Sequence, residues 1–165
     1  MPSPSVPTHL LKAAVALAAA GVLASLGVHV ASLNGLAGST ALGLTVSVWI
    51  GASFAPVIGA LIQRSEKEIG PLVSDESTPN PFEFLPRALQ LNGWMLRFLP
   101  IRERIVFGLL LAYTAVWMVR GIANVVSEPD AAGFPLPMVS AFWLYFSGFS
   151  MLFGRRLLAL RSADA

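Results

Sequence analysis

The sequence predicts an all-α polytopic membrane protein of four transmembrane helices in a bundle, and three observations carry that prediction. Hydrophobic residues make up 55% of the chain and charged residues only 12%, about half the charged share of a soluble protein. The apolar residues gather in four long, nearly uncharged blocks, the pattern that hydrocarbon demands and a water-facing core does not. Once those blocks are threaded through a bilayer, ten of the eleven lysines and arginines lie on the same side.

Each element follows in order. Pro2, Pro4 and Pro7 keep the first residues irregular. The first span covers residues 10–32, interrupted only by Lys12 and His29, one near each end; at 1.5 Å per residue it reaches about 35 Å, enough to cross. A cleaved signal peptide is the rival reading, with Lys12 ending the charged region and Gly35, Leu36 and Ala37 offering small residues for cleavage. The run is longer than a signal peptide's apolar region, which favours a span.

The second span covers residues 40–62, with Pro56 removing a backbone donor and bending the helix near the carbonyl of Ala52. Residues 63–104 form the long polar loop. Its first half carries Pro71, Pro79 and Pro81 and has no apolar period, so it reads as irregular chain. After Pro86, Leu91, Trp94, Met95 and Phe98 recur at helical spacing while Arg87, Gln90 and Arg97 take the other side. This predicts an amphipathic helix over residues 87–99, either lying in the membrane interface or packed on the bundle's own end. The third and fourth spans cover residues 105–126 and 138–159.

Orientation comes from charge. Lys12, six basic residues in the loop and three at the C-terminus share a side, while the short connections after the first and third spans carry none. The positive-inside rule then places both termini and the long loop in the cytoplasm.

The helix faces point to contacts and to one candidate site. Ala20 with Ala24, Gly21 with Ser25, then Gly51, Ala55 and Gly59, and finally Ser140, Ser147, Ser150 and Gly154 are small residues spaced for close helix packing. Phe142, Phe146, Phe149 and Phe153 form a stripe down the fourth span, read as lipid contact or a dry interface between copies. In the third span Tyr113, Trp117, Arg120 and Asn124 share one face. Arg120 lies about 22 Å along from Ile105, close to the outer surface, where a cation must snorkel, pair or face inward. His29 ends the first span at a similar depth and Glu128 follows the third. His29, Tyr113, Trp117, Arg120, Asn124 and Glu128 are therefore the candidate polar pocket. The competing reading makes them an anchor, with Arg120 paired to Glu128 or laid over Trp117.

Composition also excludes chemistry. With no cysteine in the chain, disulfides, thiolate metal sites and iron–sulfur clusters lack their atoms. His9 and His29 fall at opposite ends of one helix, so they cannot both ligate a haem, and no cofactor is expected. No basic run tracks a nucleic-acid backbone. No span holds paired carboxylates, and the motifs of zinc or serine hydrolases are missing. The expected partners are membrane lipids and either further copies of the chain or a larger membrane complex. An accessory or structural role is the leading expectation. A homo-oligomeric channel, transporter or anion binder using the Arg120 and His29 pocket is the alternative.

Overall fold

A computed structural model describes residues 6–35, 40–73, 97–127 and 136–163. They form four α-helices, α1 (Thr8–Leu33), α2 (Thr40–Val73), α3 (Ile101–Ser127) and α4 (Leu136–Ala163), with no strand among the described residues. Each contains a stretch long and apolar enough to cross a membrane, which in α2 is Thr45–Arg64.

The helices outrun the apolar blocks because a backbone ladder continues past the hydrocarbon as long as side chains permit. The difference is largest in α2, which the sequence reading ends at Ile62 and the structure carries to Val73. Residues 63–68 are Gln, Arg, Ser, Glu, Lys and Glu, mostly strong helix formers, so intrinsic propensity continues the helix where the apolar period stops. Pro71 falls in the last turn, where it deletes a single bond. At the start of α3, the Pro100 carbonyl accepts from the Arg104 amide at 2.9 Å. The other end of α1 closes on Asn34 and Gly35, whose amides donate to Ala31 and Ser32, with Gly35 at φ 89°. That left-handed position suits glycine as a helix stop.

Helix α4 is the centre: it packs extensively against all three others, whereas α3 packs chiefly along α4. The seam with α1 is built from small residues. Ser140, Ser147 and Ser150 of α4 and Ala18, Gly21 and Ser25 of α1 are buried. A Cβ added at Gly21 would lie 2.7 Å from the Ser147 hydroxyl, so only glycine admits this approach. Ala20 and Ala24, by contrast, are exposed, as are Gly51 and Ala55. Of the small-residue pairs read from α1, Gly21 with Ser25 makes the contact and Ala20 with Ala24 does not.

The phenylalanine stripe of α4 differs from its sequence reading. Phe149 and Phe153 are buried inside the bundle, where Phe149 meets Phe54 of α2 at 5.4 Å between ring centroids and Phe107 of α3 at 5.9 Å. Phe146 abuts Phe54 edge-on at 4.9 Å. Only Phe142, at the far end, stays as much as 42% exposed. Phe149 and Phe153 thus fill the gap between α2 and α3 and face this chain's own helices, whereas the expectation of an outward-facing stripe holds for Phe142.

All the described basic residues except Arg120 lie at one end. Arg161 donates to the Val6 carbonyl at 2.7 Å, and the Val6 amide donates to Gln63 at 3.2 Å, tying the N-terminal segment to α2 and α4. Most of the predicted amphipathic helix, residues 87–96, lies outside the described residues. Its end packs on the bundle: Phe98 and Leu99 are buried, and the Phe98 ring stacks on Phe153 with planes 2° apart. Arg156 donates to the Phe98 carbonyl at 3.1 Å and Arg104 to the Leu99 carbonyl at 3.0 Å, so two guanidiniums hold this turn in place.

The α1–α4 seam sets a clear test. Gly21→Val should destabilise the protein by about 1–3 kcal/mol through overpacking, read as a lower midpoint in thermal or denaturant unfolding in detergent. Gly51→Ala, where an added Cβ meets nothing within 4 Å, should leave that midpoint unchanged or slightly raised.

Candidate functional site

The far end of the bundle holds the polar cluster, organised by His29. This residue occupies the last turn but one of α1 and is only 2% exposed. It follows Gly21 and Ser25 on the buried stripe of α1, so the helical period carries its ring toward α4 and α3.

Both ring nitrogens are engaged. Nδ1 lies 2.8 Å from the Ser140 hydroxyl of α4, and Nε2 lies 2.6 Å from the Tyr113 hydroxyl of α3. The Ser140 hydroxyl also lies 2.8 Å from the Leu136 carbonyl and 3.1 Å from that of Pro137. Tyr113, His29 and Ser140 thus form one hydrogen-bonded set that ends on backbone carbonyls, and either imidazole tautomer satisfies it, one ring nitrogen donating and the other accepting. Ser32 adds a bond from its hydroxyl to the His29 carbonyl at 2.7 Å.

Aromatic contacts close the sides. The His29 ring meets Tyr113 and Trp117 edge-on, with centroids 5.6 and 5.2 Å apart. The Arg120 guanidinium carbon lies 5.4 Å from the centre of the Trp117 ring. Tyr113 keeps 40% of its surface exposed, and Arg120 is exposed beyond it. The outer rim of the cluster is thus cationic and open, while its interior is neutral and bonded.

The structure brings together His29, Tyr113 and Trp117, and joins Arg120 through the tryptophan. Asn124 is exposed one turn further along α3, and Glu128 lies outside the described residues. The cation–π arrangement is one of the alternatives that the sequence leaves open for Arg120. The sequence reading missed Ser140, which it placed with the packing serines. The available signal was depth: α4 enters from the far end, so its fifth residue falls level with the penultimate turn of α1.

At one end the set terminates on amide carbonyls, which take up a proton poorly, and both ring nitrogens of His29 are held by side chains of neighbouring helices. No group of three metal-ligating side chains gathers among the described residues. Ser25, Ser147 and Ser150 are fully buried, their hydroxyls without partners among the described residues, and sit along the seam with no base beside them.

Comparison with protein-family models finds no match, and none is found among curated proteins or solved structures.

Because one histidine bridges three helices, Tyr113→Phe and Ser140→Ala should each lower stability by about 0.5–2 kcal/mol, the range of polar bonds between membrane helices. His29→Ala should cost at least as much as either. In unfolding measurements the double variant Tyr113→Phe with Ser140→Ala should be less damaging than the sum of its parts, since both bonds act through one ring.

Proposed function

We propose that this chain is a small non-enzymatic accessory or structural membrane subunit, forming a single four-span domain that assembles with copies of itself or with a larger membrane complex. In this reading its termini and long loop face the cytoplasm, and the amphipathic segment over residues 87–99 holds the loop close to the bundle's end. The observation that carries the reading is the saturation of His29. The most chemically capable side chain of the described spans has both nitrogens committed to neighbouring helices, which makes it a joint.

A second reading, an outward-facing binder or conductor of lipids or small anions, is favoured by the rim. Arg120 and Tyr113 lie on the same face of α3 and both are exposed. In that reading Arg120 supplies the charge, His29 and Tyr113 shape the floor, and a homo-oligomer supplies the remaining wall.

Affinity purification from gently solubilised native membranes, followed by mass spectrometry, separates the two. A membrane assembly recovered in fixed ratio, undiminished by Arg120→Ala, is the outcome expected for an accessory subunit. Isolation as a homo-oligomer whose co-purifying lipid or anion is lost with Arg120→Ala would replace it with the second reading.

The absence of native cysteine makes orientation directly measurable. Thr78→Cys in the long loop should resist a membrane-impermeant maleimide in intact cells and react after lysis. Ala131→Cys, between the third and fourth spans, should react in intact cells. The reverse pattern would invert the assigned topology.

A further inference from the structure

Helices α1 and α3 both pack extensively along α4 but not along each other. Among the described residues His29 reaches across to Tyr113 and Trp117. Below that bridge, toward the basic end, a flank of α4 lies between the two helices, and the α4 contacts fix its lining.

Residues of α4 facing α1 are Ser140, Ser147 and Gly154, opposite His29, Gly21 and Val15. Those facing α3 are Met138, Ala141 and Gly148, opposite Gly121, Thr114 and Leu110. Between these two faces, at the helical period, fall Leu144, Met151 and Arg155. Leu144 and Met151 are half-buried, as are Val15 and Val22 on the α1 wall and Leu110 on the α3 wall.

The same registers bring three cations to the basic mouth of this flank. Lys12 of α1 lies one turn before Val15, at the i, i+3 spacing that makes two side chains neighbours on a helix. Arg102 of α3 shares its face with Val106, Tyr113 and Trp117, at spacings of four, eleven and fifteen residues. With Arg155 of α4 they sit within about one helical turn of a common height. All three are exposed, and none makes a hydrogen bond or ion pair among the described residues. From Arg155 to Ala141, level with the aromatic bridge, the flank runs about 20 Å along α4, the reach of one long acyl chain.

We propose that the flank between α1 and α3 seats one acyl chain of an anionic glycerophospholipid, with its phosphate held among Lys12, Arg102 and Arg155 and its chain ending beneath the His29–Tyr113 bridge. The argument is charge complementarity joined to shape. Three exposed basic side chains from three different helices stand near one height at the basic end of this flank, a charge complement to a lipid phosphate, and the surface leading away from them is apolar and walled on both sides. The rest of the lipid-facing surface lacks that combination among the described residues: the outer faces of α2 and α3 expose Val48, Ile62, Leu109 and Val116 on convex helix surfaces.

The test is native mass spectrometry of the full chain in detergent, titrated with dioleoyl phosphatidylglycerol or dioleoyl phosphatidylcholine. One phosphatidylglycerol should be retained with roughly tenfold or greater preference. The triple variant Lys12→Ala, Arg102→Ala, Arg155→Ala should lose that preference, while Arg97→Ala, which removes a cation at the same end but off the flank, should keep it. Leu144→Trp, which fills the groove and leaves every cation in place, should lose bound phosphatidylglycerol.

Equal retention of the two lipids, an unchanged triple variant, a loss with Arg97→Ala matching that with Arg102→Ala, or undiminished binding to Leu144→Trp would each overturn the proposal. Should Leu144→Trp fail to fold, photolabelling of the unaltered protein with phosphatidylglycerol carrying a diazirine at the chain terminus decides the matter. Labels around Leu144 and Tyr113 support the groove, and labels confined to the outer face of α2 refute it.

Discussion

The approach of α1 to α4 at Gly21 and Ser147 is the constraint on which the other contacts rest. In lipid, apolar side chains gain nothing by leaving one hydrocarbon environment for another, so association depends on close van der Waals contact and on polar bonds between helices. A glycine facing a serine hydroxyl, with no room for a Cβ, brings the two backbones near enough for both. The same register places His29 beside Ser140 at one end and Val15 beside Gly154 toward the other. A side chain at residue 21 would push α1 outward and lengthen the His29 bond even though the histidine itself was untouched.

The two ends of the bundle are held by different chemistry. At the far end an imidazole joins three helices with short bonds in a buried setting, where an unpaired polar group would be costly. At the basic end, guanidiniums cap backbone carbonyls of the N-terminal segment and of the turn before α3. Those bonds involve charged donors at a wet boundary and fasten segments that have no membrane span of their own. Between the two ends the phenylalanines of α2, α3 and α4 fill the interior in edge-to-face, tilted and stacked pairs, contacts worth about 0.5–1.5 kcal/mol per pair beyond area alone.

This division bears on function. The interior is apolar or internally bonded apart from the seam hydroxyls of Ser25, Ser147 and Ser150, and the exposed cations among the described residues include Arg120 at one end and Lys12, Arg102 and Arg155 at the other. In the proposed readings polar engagement falls at those two ends. Within the hydrocarbon, recognition falls to shape, through the open side of α3 and the exposed small residues Gly51 and Ala55 of α2.

The sequence by itself determined the four long apolar helices and the common end of nearly all the described basic residues, because long, nearly uncharged apolar blocks satisfy their backbone groups as helices. It also determined that Tyr113, Trp117 and Arg120 share a face, since helical periodicity is a local property. Local pattern did not decide which of two equivalent faces meets a neighbour. Ala20 with Ala24 and Gly21 with Ser25 are the same motif in sequence, yet only the second lies at the seam. The phenylalanine stripe and the pairing of His29 with Ser140 depended likewise on helix order and register around α4. Those are set by the sum of contacts among all four helices, and no single helix carries that sum in its own periodicity.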